Sequence, residues 1–506
     1  MNAYSFFRRG FAPRHQRNFI ETDRGELFSH ADLERATARV ASFLAGLGLK
    51  AGDRVAAQID KSPQGLFLYL GALRAGLCYL PLNTAYQRGE LDYFLGDAEP
   101  RVVVCRPESE PLLGDLARAH GIAHLFTLDE AGAGSLARAV EGAPEEFSDR
   151  ERADDDLAAI IYTSGTTGRS KGAMVTHGNL TSNAEVLRQF WRFSAEDVLI
   201  HALPIFHVHG LFVAVHPILL AGARILFQRK FDAKAVIADL PRASALMGVP
   251  TFYTRLLAEP GFGREACRGM RVFISGSAPL LMDTFNAFRD RSGHTILERY
   301  GMSEAGMITS NPYEGERRGG TVGHPLPGVS VRVVGAEGRP LAPGEPGDIQ
   351  IRGPNLFAGY WRMPEKTREE FTADGWFRTG DVGQWDSEGY LAIVGRSKDL
   401  IISGGYNVYP KEIELLIDAM PGVTESAVVG VPHPDFGETV AAVVVRAAGS
   451  PLIEAQVIAH VRSQIAAFKV PKRVLFVGEL PRNAMGKVQK NLLRERLLDT
   501  AHEPGY

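Results

Sequence analysis

Cysteine is scarce in this chain: three residues among 506, Cys78, Cys105 and Cys267, far apart and without a C-x-x-C pair. That spacing excludes a disulfide framework and a cysteine zinc site, and it fits a reducing compartment, so a cytoplasmic location is expected. A dominant charge is also missing. Lys plus Arg number 56 against 59 for Asp plus Glu, a formal net charge of −3. A bulk nucleic-acid or anionic-membrane partner requires a basic face or tail, so neither is expected here. Long hydrophobic runs are few. The longest uncharged one, Val198 to Ala223, could reach across a bilayer, but it contains His201, His207, His209, His216, Pro204 and Pro217 and reads as a buried, partly helical segment. The N-terminus, MNAYSFFRRGFAPRHQRNF, is basic and has no acid before Glu21. It lacks the serine enrichment of a transit peptide and the apolar core of a secretory signal, and it runs directly into domain-like sequence.

What the chain has in excess is glycine, 54 residues, without the period of collagen or the runs of a low-complexity segment. Such glycine marks turns and places of close backbone approach. A length of 506 residues excludes one small module. From Asp32 to about Leu240, amphipathic helices alternate with short apolar strands. The pattern predicts a helix over Asp32 to Leu47, a strand over Arg54 to Gln58, a helix over Pro63 to Ala75 and a strand over Val102 to Cys105. Val236 to Leu257 and Met282 to Arg291 continue it as helical stretches on either side of a strand over Met270 to Ser275. This alternation indicates βαβ units and a largely parallel sheet. From about Gly323 the runs VSVRVVG, GDIQIRG and GYLAIVG predict a small all-β segment or barrel. After GRSKDLIISGG the order becomes helix, strand, strand, helix. The expected fold class is therefore α/β. Residues 1–395 form a large N-terminal domain of layered sheets with helices plus the small β segment, and residues 396–506 form a small mobile α+β C-terminal domain.

The densest glycine cluster, YTSGTTGRSKG at Tyr162 to Gly172, follows the apolar strand Leu157 to Ile161. Small residues leave backbone N–H groups free to converge, hydroxyls add donors and Lys171 supplies a cation, a set that suits a polyphosphate and hence a nucleotide. It is not a Walker A loop, because Ser170 stands where the second glycine must be. Gly168, Ser170 and Gly172 satisfy G-x-S-x-G, yet that elbow places its serine on a sharp strand-to-helix turn, and Ser170 lies well past Ile161. The G-x-G-x-x-A matches at Gly46, Gly48 and Ala51 and at Gly132, Gly134 and Ala137 have the wrong element order or lack the following acid, and read as loop glycines.

Together with ERYGMSE at Glu298 to Glu304, WFRTGD at Trp376 to Asp381, GRSKDLIISGGYNVYPKEIE at Gly395 to Glu414 and PRNAMGKVQK at Pro481 to Lys490, this loop makes the chain resemble the adenylate-forming acyl-CoA synthetases. The five motifs fall in that family's order over essentially the whole chain. Two residues depart from it: Ser170, where many members have proline, and Ser303, where threonine is commoner. The resemblance implies ATP, Mg²⁺ and coenzyme A. A carboxylate attacks the ATP α-phosphate to give an acyl-adenylate and pyrophosphate, and the CoA thiol then displaces AMP, chemistry that needs mainly positioning and charge neutralisation. It further implies that Thr163, Ser164, Gly165, Thr166, Thr167, Gly168, Arg169, Ser170 and Lys171 hold the β- and γ-phosphates. Gly276, Ser277 and Ala278 would face adenine and Tyr300 would stack on it. Glu298, Arg299, Gly301 and Met302 belong to the same nucleotide-binding motif, Ser303 would contact the α-phosphate, and Glu304, with Thr163, would hold the metal. Asp381 and Arg396 are implied at the ribose, Lys487 as the catalytic lysine, Lys398 as the hinge, and Ser403, Gly404 and Gly405 along the pantetheine channel. Acetylation of Lys487 would remove its charge.

The resemblance places the acyl pocket among the segment around His207, the helix after Gly248 to Pro250, and the backbone following the adenine strand. His207 is implied as a catalytic residue at the substrate carboxylate, together with Ser277. As a metal pair, His207 and His209 lack an Asp, Glu or Cys at ligand spacing. In GVPTFYTRLL, Arg255 occupies a position from which that helix could face the pocket. A buried guanidinium needs an anionic partner, and a second substrate carboxylate would supply one with bidentate geometry. Arg271 is a rival. ALPIFHVHGLFV, MGVPTFYTRLL, FISGSAPL and ERYGMSE are similar to the malonate-activating members of the family, implying malonate, with methylmalonate slower. Other short-chain or aryl acids, a luciferase-like oxidase and a stand-alone adenylation domain loading a carrier protein stay open. The absence of a carrier domain after Lys490 favours free CoA.

Overall fold

The computed structural model describes residues 1–163, 170–403, 406–433, 437–483 and 486–499. The chain divides into two compact units, Met1–Ser330 with Arg352–Gly375, and Val331–Ile351 with Trp376–Tyr506.

The first unit is built on two sheets. One has six strands in the order His124–Thr127, Val102–Cys105, Arg54–Gln58, Cys78–Pro81, Leu157–Thr163, Lys171–Thr176. It is parallel except for its last pair. Its central strands, VVVC at Val102–Cys105 and CYLP at Cys78–Pro81, are buried at every position, as parallel strands covered on both faces must be. The other sheet has nine strands, in the order His324–Pro325, Gly306–Ser310, Leu297–Met302, Val272–Ser275, Ala245–Gly248, Val198–His201, Arg224–Phe227, Asn18–Thr22, Leu27–Ser29. From Leu297–Met302 to Asn18–Thr22 its neighbours are parallel.

The strands expected at Arg54–Gln58 and Val102–Cys105 are found at those residues. The helical stretch expected over Val236 to Leu257 is instead a helix Ala233–Asp239, a strand Ala245–Gly248 and a second helix Pro250–Ala258. Pro250 sits in the first turn of that second helix, where its missing N–H has no cost. The four strand residues are fully buried, and they fill the sheet between Val198–His201 and Val272–Ser275.

The basic N-terminus is a helix, Ala3–Phe11, capped by the Asn2 side chain, which accepts from the Tyr4 N–H at 2.9 Å. Tyr4, Phe7 and Phe11 recur on one face and are fully buried. Phe7 stacks on His216 with ring centroids 4.4 Å apart, and Phe11 on His30 at 5.4 Å, while Arg8 pairs with Glu34 at 2.7 Å. The long uncharged run is a strand Val198–His201, a short π-helical turn His209–Val213 and a helix Val215–Ala221, mostly buried. Its His216 bonds the Tyr69 hydroxyl at 2.9 Å. Among the described residues no helix is long and apolar enough to cross a membrane.

The second unit carries a four-stranded sheet in the order Ser330–Val334, Gly347–Arg352, Phe377–Trp385, Leu391–Arg396, where a small β segment or barrel was expected. It also carries a five-stranded sheet, in which Arg473–Val477 adds to Gly437–Arg446 and the order is otherwise Tyr406–Val408, Ile401–Ser403, Gly437–Arg446, Val423–His433. Ile413 and Ile417 from the helix Pro410–Asp418 and Val457 and Val461 from Glu454–Arg462 share one buried cluster with Val428 and Val444.

Because the first helix lies inside the core, Phe7→Ala should destabilise the protein by about 3–5 kcal/mol in a denaturant titration. An unchanged midpoint would show that this helix packs on nothing.

Candidate active site

Parallel strands in open α/β sheets present ligands at their carboxyl ends. Here Val198–His201, Ala245–Gly248 and Val272–Ser275 end at one level, with Met247 opposite His201 and Gly248 opposite Ser275. The chain leaves Val272–Ser275 through Gly276 and Ser277, while Leu297–Met302 enters beside it with Glu298 opposite Ser275. Arg299 is therefore brought against Gly276. A Cβ at Gly276 would lie 2.4 Å from the Arg299 Cζ and Nη1, so glycine is what leaves room for the guanidinium. Ser277 has φ +72°, a strained left-handed conformation for a residue with a side chain. Its hydroxyl is 3.2 Å from His209 Nδ1, and the His209 N–H donates to His207 Nδ1, also at 3.2 Å.

The electrostatics follow from burial. Arg299 is 3% exposed; burial lowers its pKa to about 10, so at neutral pH it keeps its charge. Its Nε and Nη2 have no hydrogen-bond partner among the described residues. Burial, reinforced by the Arg299 cation, lowers His207 to about 4 and His209 well below the ordinary value. Both imidazoles are therefore neutral at pH 7. Because His207 Nδ1 accepts a hydrogen bond, its proton sits on Nε2 and that nitrogen is a donor. A buried guanidinium with open donors, a hydroxyl and a neutral imidazole donor together form a receptor for an anionic group. Glu298 accepts from the Leu280 N–H at 3.3 Å, which fixes the loop after Ser277 and the half-buried Ala278. Tyr300, Gly301 and Met302 pair with the strand Gly306–Ser310 across a bulge between Tyr300 and Gly301.

The glycine-rich loop joins two antiparallel strands, with Tyr162 opposite Gly172 and Thr163 opposite Lys171. A Walker loop and a nucleophile elbow both lead into a helix; here a strand follows. Ser164, Gly165, Thr166, Thr167, Gly168 and Arg169 lie outside the described residues. The Thr163 hydroxyl donates to the Lys171 carbonyl at 3.4 Å, and the Ser170 carbonyl accepts from the Tyr93 hydroxyl at 3.0 Å. The Lys171 ammonium lies 4.1 Å from the centroid of the Tyr360 ring and 3.4 Å from Glu370. Tyr360 in turn donates its hydroxyl hydrogen to Glu304 Oε1 at 3.1 Å. Tyr360 thus joins Lys171 of the glycine-rich loop to the buried Glu304 beside Ser303, and it was not among the sequence candidates. Its placement depends on backbone pairing to a distant strand: Met174 N–H to Gly359 O at 2.9 Å and Trp361 N–H to Gly172 O at 2.7 Å. The aromatic pair in GYW at Gly359 to Trp361 is the one sequence signal that marks it.

In the second unit, Asp381 and Arg396 face each other across two antiparallel strands, with Arg396 Nε 2.7 Å from Asp381 Oδ1. Lys487 stands in the same field. Burial pushes its ammonium down to about 8; Arg396 and Lys398 act in the same direction, and Asp381 and Asp399 oppose it. Its loop is tied by Lys487 N–H to Asn483 Oδ1 at 3.0 Å, Asn483 N–H to Lys487 O at 2.9 Å and Arg482 Nη1 to Gly486 O at 2.6 Å. Lys398 is exposed in the single turn Ser397–Asp399 between the strands Leu391–Arg396 and Ile401–Ser403. Ser403 is buried at its strand end opposite Gly437. Gly404 and Gly405 lie outside the described residues.

Arg255 was expected to face the acyl pocket from the helix after Gly248 to Pro250. The helix Pro250–Ala258 turns Phe252, Tyr253 and Leu256 inward, and this phase leaves Arg255 exposed. The buried arginine beside the histidines is Arg299. Arg271, the rival, pairs with the buried Asp197 at 2.6 Å, so its charge is already compensated. Among the described residues no cluster of three or more His, Cys, Asp or Glu side chains could hold a metal ion.

The AMP-binding enzyme model matches residues 7–361, and the model of the AMP-binding enzyme C-terminal domain matches residues 412–487. The chain belongs to the AMP-binding enzyme family. It is similar in structure to ATP-bound MatB from Rhodopseudomonas palustris, with a TM-score of 0.96 and 55% identity over 99% of this chain and 100% of that one. It is 36% identical to a feruloyl-CoA synthase of Amycolatopsis sp over 93% of this chain and 94% of that protein. It is 37% identical to a mitochondrial malonate–CoA ligase of Bos taurus over 86% of this chain and 79% of that protein.

The fit of Arg299 against Gly276 can be measured directly. Gly276→Ala should destabilise by about 1–3 kcal/mol through overpacking. The penalty should largely vanish in an Arg299→Met background, because the two sites couple; equal penalties in both backgrounds would overturn the contact.

Proposed function

We propose that the protein ligates malonate to coenzyme A at the expense of ATP, through a malonyl-adenylate, releasing AMP and pyrophosphate, with methylmalonate a slower substrate. One carboxylate oxygen of the acid attacks the α-phosphorus as pyrophosphate leaves. The CoA sulfur then attacks the acyl carbon and AMP departs. The observation that carries the choice of acid is Arg299: its buried cation and open donors call for the second carboxylate of a dicarboxylic acid, with Ser277 and His207 as neutral hydroxyl and imidazole partners. An aryl acid, the substrate class named for the feruloyl-CoA relative, would leave that guanidinium unpaired. The malonate–CoA ligase relative supports the same reading.

In this reading the loop Thr163 to Lys171 holds the β- and γ-phosphates, Gly276, Ser277 and Ala278 with Tyr300 hold adenine, and Ser303 meets the α-phosphate. Asp381 takes the ribose hydroxyls, with Arg396 beside it. Glu304 fits a Mg²⁺ ion: it is a single oriented carboxylate, and Mg²⁺ takes one or two carboxylates with phosphate oxygens. Thr163 would add a hydroxyl, and the ion would screen phosphate charge. Lys487 supplies the cation for charge that builds as the carboxylate and α-phosphate react. Lys398 serves as the hinge between domains 1–395 and 396–506, and Ser403, Gly404 and Gly405 pass the pantetheine arm. Acetylation of Lys487 would abolish the first half-reaction by removing its charge.

Two measurements test this reading. Arg299→Met should lower kcat/KM for malonate by about 100-fold or more, as expected when one member of a buried charged pair is removed, with the KM for ATP little changed. Arg255→Ala should stay within about twofold, as exposed substitutions do. A pyrophosphate-release panel over malonate, methylmalonate, acetate and ferulate, with the acyl-CoA identified by mass spectrometry, overturns the acid assignment if malonate is not turned over. The second measurement is a pH profile. The folded Lys487 titrates near 8, below the ordinary 10.5, so it is charged below that pH and loses its charge as pH rises through it. The adenylation half-reaction should fall along that limb, and Lys487→Arg, slower overall, should lose the limb because arginine stays protonated.

A further inference from the structure

One buried lysine stands apart from the residues assigned so far. Lys61, in the turn between the strand Arg54–Gln58 and the helix Pro63–Arg74, is 7% exposed, and among the described residues no carboxylate bonds its side-chain nitrogen. Three acceptors lie around it instead. Its Nζ is 2.7 Å from His201 Nδ1, 2.7 Å from the His201 carbonyl and 2.7 Å from the Gln228 carbonyl. It also lies 4.4 Å from the centroid of the Phe227 ring. Both carbonyls lie at the carboxyl ends of neighbouring parallel strands, Val198–His201 and Arg224–Phe227. Lys61 therefore reaches from the six-stranded sheet to the site edge of the nine-stranded one.

The imidazole carries the connection onward. Burial lowers the Lys61 pKa well below the ordinary lysine value, so the tautomer is read from geometry: the Gly210 carbonyl can only accept, which puts the one proton of the neutral ring on Nε2 and leaves Nδ1 to accept from Lys61 Nζ. That nitrogen lies 2.8 Å from the Gly210 carbonyl. Gly210 belongs to the π-helical turn His209–Val213, and such wide turns are held open by specific contacts and often serve sites. The turn has no slack. A Cβ at Gly210 would meet the Pro204 carbonyl at 2.0 Å, and the Leu211 N–H bonds the His207 carbonyl at 2.9 Å. It begins at His209 and is tied by that bond to His207 just before it, the two imidazoles beside Ser277 and Arg299.

We propose that Lys61 and His201 are positioning residues for acid binding: Lys61 fixes the His201 tautomer, and His201 pins the Gly210 carbonyl and with it the turn that begins at His209 and is tied to His207. Without Lys61, the ring is free to place its proton on Nδ1, and a bare Nε2 then faces the Gly210 carbonyl, lone pair to lone pair. The turn would shift at the acid and leave the nucleotide residues where they are. The inference rests on the malonate reading for its substrate and on the geometry alone for its linkage.

The test uses the full-length enzyme. Lys61→Met and His201→Leu should each raise the KM for malonate about tenfold, roughly the loss of one buried hydrogen bond, with the KM for ATP within about twofold. The double variant should be no worse than either single one, because both act through one carbonyl. His201→Gln, whose amide can still donate toward Gly210, should recover most of the malonate KM. A lowered melting temperature with an unchanged malonate KM would overturn the proposal and leave Lys61 as a clamp between sheets. Nitrogen-15 NMR of the wild-type histidines, with His201 identified by the signal missing in His201→Gln, should show protonation at Nε2; protonation at Nδ1 would overturn the linkage even if a variant failed to fold. Wild-type turnover of malonate in the same assay tests the substrate reading separately.

Discussion

A guanidinium sealed from water is the constraint around which the first unit's site is arranged. Arg299 carries a charge whose burial costs several kcal/mol unless an anion meets it, and the elements about it are shaped by that requirement. Gly276 gives up a side chain so the planar guanidinium can lie against the backbone. Ser277 accepts a left-handed conformation that turns its hydroxyl toward His209. The two histidines are held neutral by burial, with the same cation adding to it, so they add donors without adding a second buried charge. In the proposed reading, a site with one fixed positive charge and several neutral polar groups would select a small acid with a second negative charge over a neutral or aromatic one.

Much of this was legible from residues alone where the signal was local. The glycine-rich loop could be picked out because consecutive small and hydroxyl residues carry their chemistry in the backbone, and its distinction from a Walker loop reappears in space as a strand, Lys171–Thr176, where a helix would otherwise begin. The strands Arg54–Gln58 and Val102–Cys105 were readable because each is a short apolar run closed by turn residues. What was not legible shares one cause, which is that the deciding contact lies far away in sequence. In GVPTFYTRLL the pattern does not say which helical face turns inward; Phe252, Tyr253 and Leu256 take that face and Arg255 is left outside. The enclosure of Arg299 was not legible because a strand residue between Glu298 and Tyr300 gives no sign that its side chain is buried. ALMG at Ala245–Gly248 is hidden inside a helical stretch because a four-residue strand has almost no periodicity of its own.

The N-terminal helix and Tyr360 belong to the same class. Tyr4, Phe7 and Phe11 are spaced for a helix face, yet the arginines among them dominate the composition and give the segment the look of a basic leader; only the packing partner, His216, shows what the aromatic face covers. Tyr360 is bound into its place by Gly172 and Met174, residues on a strand that no local pattern connects to it. A single-sequence reading finds groups that make chemistry through their neighbours in the chain, and it misses those that make chemistry through the fold.

The two units treat their cations in opposite ways, and the difference matches what each would do in catalysis. Arg299 remains charged with a pKa near 10, so it is a permanent counter-charge that can hold a carboxylate throughout a reaction. Lys487 sits near 8, lowered by burial and by Arg396 and Lys398, so its ammonium is poorly compensated in the free protein. A cation with that much unmet demand gains most from a group whose negative charge grows, and interactions that strengthen toward the transition state are the ones that accelerate a step. A fully paired lysine would bind its anion equally well before and during reaction and would add affinity without rate. Asp381, already engaged with Arg396 at 2.7 Å, moderates the field without satisfying Lys487 outright, which leaves one unit with a fixed anchor and the other with a cation poised to respond.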